Sequence, residues 1–356
     1  MDGDSNGFDS DPASALISNL TTAFAGIRSG DHFLPVTCND GGKTTNYLCC
    51  PSAAYLDYAI DELRHFQARP YLKAILQGLV ECSRPLMAVS GLDRQVQPNN
   101  WLVATNLFPD LTQADIVRAT KELSERYPDH AIIWRSVNDR SMADLKARFV
   151  AAGYRAFPSR QIYLFDARTR QPPRHRDERR DMKLLGRDDY VWTQGPWATP
   201  DYERMAWLYQ KLYLDKYTWL NPVYTAAFVE RSAASGFVDL HGLRTREGRL
   251  DGIIGFIDQG DAMAAPIVGY DTALPVDTGL YRRLMAMALK RARERRMLYN
   301  MSAGASAFKR NRGGEVTLEY MMVYNNHLPF PRRLAAGLIR CILIAVGVPL
   351  LRRFEL

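Results

Sequence analysis

The chain has 356 residues, enough for two ordinary domains, and its 47% hydrophobic and 11% aromatic content excludes a disordered or fibrous protein. Lys plus Arg number 46 against 39 Asp plus Glu, a net charge of +7 that favours anionic partners such as phosphorylated cofactors, RNA or acidic lipid without choosing among them. The five cysteines are odd in number and form no C-x-x-C pair, which points away from zinc and disulfide frameworks and towards a reducing cytoplasm.

Residues 1–12 open on an acidic, polar run where a secretory signal is basic and then apolar, and they are expected to be a disordered tail. Gly41-Gly42-Lys43-Thr44 ends like a phosphate loop, but Thr37 stands where that loop needs its first glycine. Apolar periodicity predicts a helix over 113–127, a strand over 130–135, a helix over 141–152 ending at Gly153, and a strand over 161–165. These belong to an N-terminal domain, 13–166. The Arg- and Pro-rich stretch 167–180 lacks any apolar period, so 167–185 reads as a basic linker.

A second domain follows over 186–328. Its predicted helices span 201–214 and a segment opening at Asn221-Pro222, where Asn caps and Pro fills the first turn. Strands over 238–243 and 250–258 flank a turn at Gly248, and Gln259-Gly260-Asp261 leads to a third strand ending at Tyr270. Asp277-Thr278-Gly279 offers a helix cap, and Leu280, Leu284, Met287 and Ala292 recur on one face of the helix that follows. A strand over 297–301, a short helix at 306–310, the turn Arg312-Gly313-Gly314 and a long strand over 315–324 complete the domain. The six histidines lack the helical spacing of a metal site, so no metal is expected, and a lone His241 on a central strand reads as structural. Gly304-Ala305-Ser306 lacks the glycine that completes a nucleophile elbow.

Residues 329–356 form an apolar helix with basic flanks, Arg332, Arg333, Arg352 and Arg353. The apolar stretch 334–351 is short of the roughly 20 residues that span a bilayer. It suits either an anionic membrane surface or packing on the N-terminal domain or a partner subunit.

The order of three meandering strands, helix, strand, helix and strand is repeated in its second part by the N-terminal half. With Pro266-Ile267-Val268-Gly269-Tyr270-Asp271-Thr272, Thr278-Gly279-Leu280-Tyr281-Arg282-Arg283, Tyr299-Asn300-Met301-Ser302-Ala303-Gly304 and Phe308-Lys309-Arg310-Asn311-Arg312-Gly313-Gly314, it resembles the GNAT superfamily of acyltransferases. The paired layout is similar to the FemABX-like peptidyl transferases and the catalytic part of lysyl-phosphatidylglycerol synthases. The resemblance implies an α/β (α+β) fold of two tandem GNAT-like domains, with mixed, mostly antiparallel sheets flanked by helices. It implies a strand ending at Gly269, Tyr270 and Asp271 whose amides hold a donor carbonyl. It also implies a loop through Thr278, Gly279, Leu280 and Tyr281 that binds pyrophosphate at a helix N-terminus, with Arg282 and Arg283 adding charge. The loop has one glycine where the family's Q/R-x-x-G-x-G/A has a second small residue.

Polar residues in otherwise apolar elements are the candidate catalytic groups: Glu319 as base, Tyr217 as acid or acceptor contact, and Asn300, Ser302 and Lys309. The expected function is transfer of an acyl group from a thioester of coenzyme A or a carrier protein to an amine or hydroxyl. Two alternatives stay open: an aminoacyl-tRNA donor, with the basic stretch 168–180 meeting RNA phosphates, and a non-catalytic module that binds membrane or partner protein. The expected location is cytoplasmic, peripheral at the inner membrane surface through 330–356.

Overall fold

The computed structural model describes residues 12–42, 46–65, 69–169 and 175–354. The expected tail and parts of the Gly-Gly-Lys-Thr segment and of the basic linker lie outside them. The first half runs α1 (Ala13–Leu16), β1 (Ala23–Ser29), β2 (His32–Asp40), α2 (Tyr58–His65), α3 (Pro70–Ser90), β3 (Arg94–Pro98), α4 (Gln113–Arg126), β4 (Ala131–Asn138), α5 (Ala143–Ala151) and β5 (Arg155–Asp166). The second runs α6 (Arg176–Met182), β6 (Tyr190–Thr193), α7 (Thr199–Gln210), α8 (Ala226–Ala234), β7 (Asp239–Thr245), β8 (Leu250–Gln259), β9 (Ala262–Tyr270), α9 (Leu280–Arg295), β10 (Leu298–Asn300), α10 (Ser306–Arg310) and β11 (Glu315–Tyr324). α11 (Phe330–Ile342) and α12 (Val348–Phe354) close the chain.

All eleven strands join one sheet in the order β1-β2-β3-β4-β11-β5-β10-β9-β8-β7-β6. Among the described residues only β3 with β4 and β10 with β9 are parallel. The order reads as two equivalent halves. In each, an antiparallel pair (β2 with β3, which α2 and α3 separate in the chain, or the hairpin β8-β9) is followed by a helix (α4 or α9) and then by a strand parallel to the pair's second member. The last strands are exchanged: β11 lies against β4, and β5 lies against β10. β5 and β11 pair along their length at the centre. Two separate sheets were expected; the exchange makes one, because each half completes the other's pairing.

Local chemistry accounts for the elements. β4 is buried at every position, as a strand covered on both faces must be. α4 starts at a capping box in which Thr112 Oγ1 accepts from the Asp115 amide and Asp115 Oδ2 accepts from the Thr112 amide. Its Ile116, Ala119 and Leu123 pack on β4 Ile132 and Trp134. β8 alternates, with Ile253 and Ile257 in the core under α7 and α8, and Ile254 and Phe256 in the core under α9.

Two expectations are corrected. The helix expected at Asn221 begins at Ala226 with Thr225 as its cap, because the Asn221 side chain instead donates to the carbonyls of Tyr213 and Thr218. Residues 176–186 are not a linker but helical: Glu178 and Asp181 are buried there and pair with Arg293, and with Arg282 and Arg312. Arg168 pairs with Asp166 and Asp261. His241 lies in a hydrogen-bond network with Asp239 and Arg291.

Candidate active site

β9 and β10 pair only at Ala262, Met263 and Ala264, opposite Leu298, Tyr299 and Asn300. The chain then leaves β9. Asn300 Oδ1 accepts from the Ser302 amide, Ser302 takes a left-handed φ of 60°, and Met301 and Ser302 bond instead to Tyr163 of β5. β9 keeps β8 on its other side, up to Tyr270 opposite Gly252. Beyond Ala264 no strand pairs with its second edge among the described residues.

A cavity of about 540 Å³ enters this gap. It meets β9 at Ala264, Ala265, Pro266 and Val268, one to five residues before the expected contact at Gly269. Gly269 is closed off because α7 crosses it: an added Cβ would lie 2.5 Å from the Tyr209 amide nitrogen. Asp271 accepts from Arg204 and from the Ala273 amide, and the Tyr270 ring lies tilted against Tyr281, 6.0 Å between centroids.

The expected phosphate loop is also corrected. Gly279 does take the left-handed φ of 67° that suits glycine, and α9 follows with no side-chain cap. However, Leu184 lies against Gly279, Leu280 is in the core, and Thr278 bonds its own turn at Pro275. Arg282 is paired with Asp181. Arg283 is buried, with both Asp189 oxygens and the carbonyls of Leu184 and Thr278 as acceptors. Neither guanidinium is free for a phosphate. Of the nine expected donor contacts, Tyr281 lines the cavity.

The five candidate catalytic residues do converge: Tyr217, Asn300, Ser302, Lys309 and Glu319 all line it. Glu319 is buried, and Arg160 donates to both its oxygens, at 2.7 and 3.3 Å, while also reaching the Ala104 carbonyl. A guanidinium fork on both oxygens fixes the carboxylate in place, a geometry suited to orienting its neighbours. Lys309 is buried too, with Nζ donating to the carbonyls of Ser302 (3.0 Å) and Ala303 (2.6 Å). Burial, and then the nearby Arg160 charge, pull its ammonium down to about 7. Tyr217 is half exposed and marks a mouth of the cavity.

The N-terminal half contributes groups the sequence reading missed. Arg135 of β4 and Arg160 of β5 line the cavity, as do Tyr55, whose hydroxyl is buried without a hydrogen-bond partner, and Glu62, pushed up to about 7 by burial. An arginine inside the apolar run of β4 was the available signal. Glu62 carried none, since a helix commonly bears a carboxylate on its solvent face. Among the described residues no metal ligand set lines the cavity; elsewhere, Cys38, Asp40 and His130 bring ligand atoms within 4.8 Å of one another, with His130 already bonded to Asp40.

The gap between a hairpin strand and its parallel neighbour, after a meander and a helix, is the feature on which the resemblance turns. The fold is GNAT-like, in two halves. No family model and no curated protein matches the chain. Among solved structures it is similar to L-PGS from Bacillus licheniformis (14% identity over 64% of this chain and 78% of that one, TM-score 0.45). It is also similar to FemX (10%, 62% and 78%, TM-score 0.48) and to a tandem GNAT protein from the clavulanic acid biosynthesis pathway (11%, 65% and 74%, TM-score 0.38).

Proposed function

We propose that the chain is an acyltransferase that moves an acyl group from a thioester, on coenzyme A or a carrier protein, to an amine or hydroxyl. The observation that carries this reading is the parting of β9 from β10 after Ala264, with a cavity entering the gap. Unpaired backbone amides on a rigid strand edge are preorganised donors for the oxyanion that develops during acyl transfer. The acceptor enters by Tyr217 and its lone pair attacks the donor carbonyl carbon. A carbon–nitrogen or carbon–oxygen bond forms, the carbon–sulfur bond breaks, the acceptor proton passes to Lys309 Nζ, and the thiolate leaves to be protonated by solvent. Lys309 suits the base because a pKa near 7 leaves much of it neutral at working pH. Glu319, the base expected from sequence, becomes with Arg160 the charged pair that orients the acceptor.

The aminoacyl-tRNA reading keeps the same gap and base with a different donor. Its support is the engagement of Arg282 and Arg283 in internal ion pairs, which removes two charges from the pyrophosphate loop. Calorimetry with acetyl- and longer acyl-coenzyme A separates the two: micromolar binding supports the thioester, and a product lost on ribonuclease treatment supports the tRNA ester.

The C-terminal helices fit a peripheral membrane contact. The run Phe330–Phe354 is 25 residues of high hydropathy, long and apolar enough to cross a membrane by length and composition. Yet Arg332 donates to the carbonyls of Ser90, Gly91 and Asp129, and Arg340 to Ala156, which ties one face to the protein. The other face exposes Phe330, Leu334, Leu338 and Ile344, and the neighbouring α3 exposes Tyr71, Ile75 and Val89. Vesicles rich in anionic lipid are expected to sediment the whole chain but not a variant with Leu334, Leu338 and Ile344 changed to Ser; equal sedimentation of the two would refute the contact.

A further inference from the structure

The cavity does not stop at the reaction centre. Its lining crosses the sheet from Ala265 on β9 through Asn300 on β10, Arg160 on β5 and Glu319 on β11 to Ser136 on β4. That is four inter-strand steps, or about 19 Å at the usual spacing. The polar side chains come chiefly from the sheet and α10. The opposing wall is made by α2, α3 and the C-terminal helices, and its far part is hydrocarbon: Leu79 and Val80 of α3 face Ile342, Leu343, Val346 and Leu350. One carboxyl, Glu62, interrupts that wall.

A second observation points the same way. The described residues contain three π-helical segments, Ala53–Asp57, Lys211–Asp215 and Leu343–Gly347, and all three contribute to this one cavity through Tyr55, Tyr213 and Val346 among others. π-Helical turns are rare, widen the helix locally, and gather at functional sites. Three of them around one void are a built feature of the wall. An acetyl group would leave most of a cavity of about 540 Å³ unfilled.

We propose that this cavity is a channel for a long, straight hydrocarbon chain, the tail of the acyl group whose carbonyl sits at the open edge of β9. This rests on the acyltransferase reading for the position of the carbonyl. The chain runs away from Tyr217, across the sheet, and ends beneath the C-terminal helices.

The test is a chain-length ladder on the full chain, by calorimetry: acetyl-, octanoyl- and palmitoyl-coenzyme A, with palmitate and hexadecylamine in parallel. Affinity for the coenzyme A esters is expected to rise about fourfold per methylene until the channel is full. Val346→Trp should cut palmitoyl binding and spare acetyl; Leu79→Phe, from the opposite wall, should do the same to a lesser degree. Equal affinity for acetyl and palmitoyl esters, with palmitate also unbound, overturns the channel. Palmitate binding that Val346→Trp abolishes, without binding of any coenzyme A ester, keeps the channel and removes coenzyme A as the donor. A ladder followed by hexadecylamine and not by the acyl compounds overturns the assignment of the chain to the donor.

Discussion

The two halves of the sheet contain the same unit, and only one of them is open. In the C-terminal half, β9 leads through residues 271–279 to α9 and β10, and the gap beyond Ala264 holds the cavity. In the N-terminal half, β3 leads through residues 99–112 to α4 and β4, and the parallel strands pair only at Gln95 with Ala131 and Val96 with Ile132. That gap is filled by the chain's own loop. The Asn106 amide donates to Ser136 Oγ, Arg135 reaches Asn100 and the Ala104 carbonyl, and Leu102 and Val103 are buried. The helix N-termini differ in the same sense: α4 is sealed by Asp115, whereas α9 carries no side-chain cap. The parallel strands splay in both halves; one gap holds the cavity, and the loop that fills the other supplies part of its wall through Ala104 and Thr105.

If that division is right, variants in the two halves separate activity from stability. Lys309→Met is expected to lower kcat by about a hundred- to ten-thousandfold in a steady-state assay, the range of a lost general base, and Lys309→Arg, always charged, should not restore it. A rate within a few-fold of the parent would return the base to Glu319. Arg160→Met leaves Glu319 buried and unpaired, and denaturant unfolding should show a loss of about 3–5 kcal/mol. Gly269→Ala forces a Cβ into the backbone of α7 and should cost about 1–3 kcal/mol. In the closed half, Thr112→Ala removes the α4 cap at a cost of about 1 kcal/mol with kcat unchanged.

The remaining effects are on pH. With Lys309 held near 7, kcat/KM should rise as pH passes through about 7 and be flat there in Lys309→Met. For stability the two shifted groups oppose one another. Between about 7 and the ordinary 10.5 the unfolded chain binds the Lys309 proton that the folded chain has lost, so stability rises with pH. Between 4.5 and about 7 the folded chain retains the Glu62 proton that the unfolded chain releases, so stability falls with pH, and Glu62→Gln should flatten that slope.

The elements from β7 to β11 were legible because alternation and turn glycines mark them: Gly248 and Gly260 both take the positive φ their turns need. The first hundred residues were not. α3 carries Gly78 and Pro85 inside its 21 residues, which breaks the helical signal, and its apolar face is shared between α11 and solvent. The exchange of β5 and β11 was out of reach of any local pattern, and with it the pairing of Arg160 and Glu319, 159 residues apart. The polar residues interrupting β10 and β11 stood out in the sequence because burial makes them costly, and they line one cavity. Arg282 and Arg283 misled because a basic pair at a helix start looks the same whether it meets a phosphate or an internal carboxylate such as Asp181 or Asp189.

The central claim is that an activated carbonyl lies against the free edge of β9. A crystal structure with a non-transferable 2-oxoalkyl thioether (ketone) analogue of palmitoyl-coenzyme A, which keeps the carbonyl, tests it directly. The account predicts the carbonyl oxygen within hydrogen-bonding distance of a β9 amide between Ala264 and Val268, with Lys309 nearby and the N-terminal gap still filled by its loop. An analogue bound elsewhere, with that edge of β9 untouched, would contradict it.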